Sequence, residues 1–132
     1  MDKQLLEAIA AELDAGRSCM LATVVKRRGS APRGVGTAMA VTSAGGQTGT
    51  VGGGSLEHRA RTDALALLAS GACALRDYDI HADGQDAYAG GVTVLFRPFA
   101  GEEGLALLRR ARRAMDDGEE AYLLCRLAEG CA

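Results

Sequence analysis

The chain has 132 residues, enough for one domain with a buried core, and its net charge is −2. That charge gives no general attraction to nucleic acid or membranes, and two Phe, three Tyr and no Trp argue against stacking on single-stranded nucleic acid. Its longest apolar runs are far shorter than the roughly 20 residues that span a bilayer, and its N-terminus lacks a signal-peptide pattern. We therefore expect a cytoplasmic protein with no nucleic-acid or membrane partner.

The first half of the chain combines helical and strand patterns with a glycine-rich loop. Leucine and isoleucine at helical spacing predict a helix over residues 2–16, with Asp2 as its N-cap. The apolar run of residues 18–25 predicts a strand buried on both faces. A basic, glycine-rich loop follows. The next two strands form a predicted hairpin, at residues 37–42 and 47–51.

The second half predicts two further helices and two further strands. A helix over residues 55–71 is followed by a strand at 72–80 and a polar loop at 81–89. A strand at 91–96 then leads to a strongly amphipathic helix over residues 102–117. The whole pattern predicts a single α/β domain, a mixed β-sheet with packed helices.

Three consecutive glycines, Gly52, Gly53 and Gly54, separate a predicted strand from a predicted helix. Glycine loses the most backbone entropy on folding, so a triplet at this junction favours close approach of a ligand rather than stability. The N–H groups and dipole of a helix N-terminus favour an anion such as phosphate. The segment lacks the lysine of a P-loop, which argues against nucleoside triphosphate hydrolysis.

The basic loop before the hairpin predicts a second wall of the same pocket. Ser30, Arg33 and the N–H groups of residues 52–55 are expected to converge on one anion, with Lys26, Arg27 and Arg28 adding positive potential. The alternative is a pair of tight turns with a solvated basic rim. Glu57, in the first helical turn, either caps the helix or binds a ligand amino group.

The cysteines contain no CxxC pair, so zinc is not predicted. Cys19 and Cys73 lie in apolar, strand-like runs and are predicted to be buried thiols. Cys125 and Cys131 are interpreted as structural thiols, with a reactive role as the alternative. A weak metal site would use Asp79, His81, Asp83 and Asp86. That spacing matches no established site, so a solvated loop is favoured.

Four segments, in this order, resemble the XdhC/CoxI family: residues 29–36, 39–41, 49–57 and 89–98. The resemblance implies a molybdenum hydroxylase accessory protein, a cofactor-binding chaperone rather than an enzyme. Such proteins bind the molybdenum cofactor (molybdopterin) and assist its maturation or insertion into the apoenzyme of xanthine dehydrogenase or carbon monoxide dehydrogenase. The implied domain spans residues 1–132. The Rossmann-like C-terminal domain typical of full-length members is not in this sequence.

The cofactor-binding residues that the resemblance implies are Ser30, Pro32, Arg33, Gly52, Gly53, Gly54, Glu57, Gly90 and Gly91. Ser30 and Arg33 are expected to contact phosphate or pterin groups, the glycine triplet to give backbone access, and Glu57 to orient the ligand or brace the loop. The family usually has a cysteine before the Gly90–Gly91 pair, where this chain has Ala89.

Two other functions are left open by the sequence. One is a small enzyme acting on a phosphorylated or nucleotide ligand, with Glu57 or His58 as its general base. The other is a structural subunit that docks on a separate Rossmann-domain partner. Homodimer formation and the identity of the client enzyme are also left open.

Overall fold

The computed structural model describes residues 2–30, 34–81 and 88–127. Within them lie three helices and five strands: α1 (Lys3–Asp14), β1 (Cys19–Gly29), β2 (Ala38–Thr42), β3 (Gln47–Gly49), α2 (Gly54–Ser70), β4 (Ala74–His81), β5 (Tyr88–Phe99) and α3 (Gly101–Asp116). The predicted N-cap is confirmed, since Oδ1 of Asp2 accepts a hydrogen bond from the N–H of Leu5 at 2.8 Å.

The five strands form one sheet in the order β3-β2-β1-β5-β4. The predicted α/β domain is confirmed, but every pairing is antiparallel where the sequence predicted a mixed sheet. Helix α2 does connect two strands that run in the same direction, β3 and β4. These strands lie at opposite edges of the sheet, so they never pair and no parallel ladder forms.

The sheet is covered on both faces, each by its own core. Alternate residues of β1 point to opposite sides. Met20, Ala22 and Val24 pack beneath α2, whereas Cys19 and Leu21 pack beneath α1 and α3. The prediction that this apolar run is buried on both faces is therefore confirmed. Among the described residues, no helix has both the length and the apolar character needed to cross a membrane.

Strand β1 continues four residues past the predicted strand, to Gly29, into what the sequence predicts as loop. These residues pair with β5 from Thr93 to Gly90, so their backbone groups are satisfied in a ladder even though their side chains are polar. The register shifts between Val24 and Lys26, where one residue of β1 is extra. This bulge decides which face each following side chain occupies.

Candidate ligand site at the glycine-rich end of the sheet

Both glycine-rich loops lie at the same end of the sheet. Because neighbouring strands are antiparallel, the ends of β1, β3 and β4 meet the beginnings of β2 and β5 there. Ser30 and the glycine triplet therefore share this end. Pro32 and Arg33 lie outside the described residues, so the predicted convergence of both loops on one anion stays a prediction.

The triplet has a backbone that only glycine adopts readily. Gly52, Gly53 and Gly54 have φ values of 143°, 74° and 60°. Gly53 is the N-cap of α2, with ψ of −178°, and no side chain caps this helix end. Gly54 and Ser55 are exposed. The first turn of α2 thus presents backbone N–H groups at an accessible surface, which is the arrangement that binds anions.

The backbone at Gly53 predicts a selective effect of asparagine. Gly53 (φ 74°, ψ −178°) lies in a region that is essentially restricted to glycine, whereas Gly71 (φ 72°, ψ 15°), at the other end of α2, lies in the left-handed region that asparagine tolerates. A Cβ meets no atom within 4 Å at either position. We expect Gly53→Asn to lower the free energy of unfolding by about 2 kcal/mol. The matched control, Gly71→Asn, should cost less than about 1 kcal/mol in urea titrations. Equal losses would contradict this account.

Glu57 folds back from α2 onto the loop that precedes it. Thr50 Oγ1 donates to Oε1 of Glu57, the Val51 N–H donates to the same oxygen at 3.3 Å, and the Gly52 N–H donates to Thr50 Oγ1 at 3.1 Å. Partial burial alone would raise the pKa of the carboxyl. Donors around it outweigh that effect and hold the pKa below its usual value: Thr50, Gln47 and the N–H groups of Val51 and Gly53. Glu57 therefore braces the loop as an anion; its contact with a ligand stays a prediction.

Side-chain alternation along β1 separates the three basic residues that the sequence groups together, and the bulge decides which face each one occupies. Arg27 pairs with Val92, whose side chain belongs to the core beneath α2, so Arg27 lies exposed on the α2 face. Arg28 lies on the opposite face, where it donates to Thr93 Oγ1 at 3.0 Å and approaches Asp77 at 3.5 Å. Lys26 shares that opposite face. Arg27 is thus the one of the three that faces the same side as the glycine triplet.

Gly90 and Gly91 have a packing role that the sequence does not reveal. A Cβ on Gly90 would lie 2.1 Å from the carbonyl oxygen of Ser30 and 2.6 Å from that of Arg28. A Cβ on Gly91 would lie 2.5 Å from Nη2 of Arg28 and 2.7 Å from the carbonyl oxygen of Tyr78. Gly90 therefore lets β5 pass close to the end of β1, and Gly91 leaves room for the Arg28 side chain and for the backbone of β4. The predicted role of these glycines in cofactor binding stays a prediction.

Helix α2 is fixed over this end of the sheet by β4. The Tyr78 hydroxyl donates to Asp63 at 2.5 Å, and Nη2 of Arg59 donates to the carbonyl of Asp79 at 3.0 Å. The Arg59 guanidinium also lies 5.6 Å from the centre of the Tyr78 ring. Burial, and then the hydrogen bond to Asp63, raise the pKa of Tyr78 above its ordinary range, so the hydroxyl remains a donor.

The described residues contain no group of three or more His, Cys, Asp or Glu side chains that could hold a metal ion. Two of the acidic residues of the alternative metal site, Asp83 and Asp86, lie outside that part of the chain. His58 is exposed on α2.

Comparison with known protein families gives a match over the segment that contains the glycine triplet. The family model described as the XdhC and CoxI family matches residues 12–79, more than half of the chain. The chain belongs to the XdhC and CoxI family. The matched residues run from the end of α1 into β4 and include Arg27, the glycine triplet and Glu57, whereas Gly90 and Gly91 of β5 lie beyond the matched segment.

A solved structure supports the fold of this XdhC/CoxI domain. It is described as a xanthine dehydrogenase from Bacillus halodurans and matches with a TM-score of 0.72 at 23% sequence identity. The match covers 87% of this chain and 35% of that one, so the chain corresponds to about a third of the other protein. None of the curated proteins matches the chain.

Proposed function

We propose that this XdhC/CoxI domain binds the molybdenum cofactor (molybdopterin) and assists its maturation or insertion into a molybdenum hydroxylase of the xanthine dehydrogenase or carbon monoxide dehydrogenase type. Membership of the family supports an accessory role toward such enzymes in general. The single observation that carries the proposal further is the uncapped, exposed N-terminus of α2 behind three glycines with positive φ.

The arrangement suits a phosphorylated ligand such as molybdopterin. The first N–H groups of a helix lack intrahelical acceptors, and the helix dipole places partial positive charge beside them. The triplet has no side chains to hold a phosphate away from these donors. Arg27, on the same face, adds a full positive charge and a planar set of donors that matches phosphate oxygens.

Glu57 fits this proposal as a brace rather than as a ligand-repelling charge. Its carboxylate is occupied by hydrogen bonds from Thr50 and from backbone N–H groups of the loop. These bonds hold the three glycines in one conformation before any ligand arrives. A preformed loop loses less conformational entropy on binding and therefore binds more tightly.

The cationic residues give a direct test of binding. In isothermal titration with molybdopterin, Arg27→Ala is expected to weaken binding about tenfold or more, because a charge-assisted hydrogen bond contributes about 1.5–3 kcal/mol. Arg33→Ala is expected to act in the same direction. Arg109→Ala is the matched control, since this exposed arginine lies on α3, across the sheet from α2. Equal weakening by all three substitutions, or no binding by the unaltered chain, would refute the proposal.

The geometry argues against Glu57 as the general base of the enzyme alternative, which leaves His58, exposed on α2, as its candidate. A general base works best with a pKa near the working pH, and hydrogen bonding holds the pKa of Glu57 below its usual value. A structural subunit is distinguished by its partner instead. Co-purification with a Rossmann-domain protein, together with no molybdopterin binding, would select that function.

A further inference from the structure

The segment that follows α3 lies along that helix. We call residues 119–127 the C-terminal segment; they form no regular helix or strand. Leu123 packs against the core beneath α1 and α3, while Tyr122 and Leu124 are 81% and 84% exposed. A cavity of about 720 Å³ separates this segment from α3, and Arg97 of β5 lines it together with Leu124.

Two cysteines that are distant in sequence meet beside this cavity. Ala74 pairs with Phe96, so the preceding residue, Cys73, lies next to Arg97 at the edge of the same ladder. Leu124 lines the cavity together with Arg97, so its neighbour Cys125 lies in the same region as Cys73, and both thiols are free and partly exposed. Burial and the neighbouring Cys125 raise the pKa of Cys73, and the Arg97 guanidinium opposes them.

We propose that Cys73 and Cys125 form a reversible disulfide that tethers the C-terminal segment to the start of β4. The proposal is independent of cofactor binding, because it concerns the face of the sheet covered by α1 and α3. The C-terminal segment lies outside regular structure, so it can adjust to the strict geometry of an S–S bond without distorting the sheet. The oxidant is a low-molecular-weight disulfide such as glutathione disulfide.

The reaction is a pair of thiol–disulfide exchanges. The Cys125 thiolate attacks one sulfur of glutathione disulfide, which forms a mixed disulfide and releases one glutathione thiolate. The Cys73 thiolate then attacks the Cys125 sulfur, which forms the protein disulfide and releases the second glutathione. The two cysteine protons pass to the two glutathione thiolates. The cysteines lose two electrons and glutathione disulfide gains them.

The test is to treat the reduced full chain with excess glutathione disulfide, alkylate the remaining thiols and map peptides by mass spectrometry without reduction. We expect one linked pair of peptides, containing Cys73 and Cys125, and a rise in melting temperature of about 5 °C or more, reversed by dithiothreitol. Cys73→Ser should stop the reaction at a glutathione adduct on Cys125, with no rise in melting temperature.

Two further substitutions serve as controls. Burial raises the pKa of Cys19 to about 11, so Cys19→Ser should leave the linkage unchanged. Cys131→Ser should also leave it unchanged. Alkylation of both Cys73 and Cys125 after oxidation, or a linkage from Cys73 to Cys131 in the unaltered chain, would overturn the proposal.

Discussion

Gly90→Ala is expected to lower the free energy of unfolding by about 3 kcal/mol. The added Cβ would lie 2.1 Å and 2.6 Å from the carbonyl oxygens of Ser30 and Arg28. Both oxygens belong to backbone, so neither moves aside as a flexible side chain would. The clash can be relieved only if β1 and β5 move apart where they pair. Urea titration followed by circular dichroism measures the loss.

Two neighbouring substitutions make this prediction specific. Gly34→Ala adds the same methyl group in the adjoining loop, where a Cβ meets no atom within 4 Å, and should be nearly neutral. Gly91→Ala should cost about 2 kcal/mol, less than Gly90→Ala, because its nearest contact is the movable end of Arg28 and its one backbone contact, the carbonyl oxygen of Tyr78 at 2.7 Å, is longer than those of Gly90. A Gly90→Ala protein as stable as the Gly34→Ala protein would contradict the close packing of β5 against Ser30.

The same substitution separates packing from ligand contact at Gly90. If the residue serves only to let two strands approach, Gly90→Ala lowers stability, and it weakens molybdopterin binding only as far as it displaces Ser30. If the residue also touches the ligand, binding falls further than stability requires. Comparing Gly90→Ala with a stability-matched variant elsewhere, such as Leu108→Ala in the opposite core, tells these roles apart.

The three helices and the β2–β3 hairpin could be predicted because they depend on local signals: hydrophobic spacing, caps and turn residues. The extension of β1 to Gly29 could not, because it depends on pairing with β5, about sixty residues further along. The antiparallel character of the whole sheet has the same origin. It is decided by which strands become neighbours, and spacing along the chain does not encode that.

The candidate site likewise has one feature that local sequence predicts and one that depends on strand pairing. A glycine triplet before a helix predicts an anion-binding N-terminus from local chemistry alone, and the structure has such an uncapped N-terminus there. The sequence groups Lys26, Arg27 and Arg28 together, yet a single extra residue in β1 places Arg28 on the far face. One bulge reverses the alternation of every later side chain in a strand. The sequence alone therefore could not single out Arg27 as the basic residue on the side of the glycine triplet, because that depends on the pairing register of β1 and β5.

Glu57→Gln is expected to lower the free energy of unfolding by about 1.5 kcal/mol near pH 7, because charge-assisted hydrogen bonds to the loop become neutral ones. Glutamine keeps the shape of the side chain and an oxygen that can still accept from Thr50. The loss therefore reports the charge rather than a cavity. Glu103→Gln, in the exposed first turn of α3, is the matched control and should change stability by less than about 0.5 kcal/mol.

The pH dependence of this loss has a definite sign. The folded-state pKa of Glu57 lies below its unfolded value near 4.5, so its contribution to stability is fully present above pH 4.5. As the pH falls through the lower folded-state pKa, the carboxyl is protonated in both states and the contribution disappears. The free energies of unfolding of the unaltered and Glu57→Gln chains should therefore differ by a constant amount from pH 7 to pH 5. They should converge as the pH falls below 4.5. A difference that stays unchanged as the pH falls below 4.5 would contradict an origin in the charge of Glu57, and no difference at pH 7 would mean that Glu57 braces the loop through shape alone.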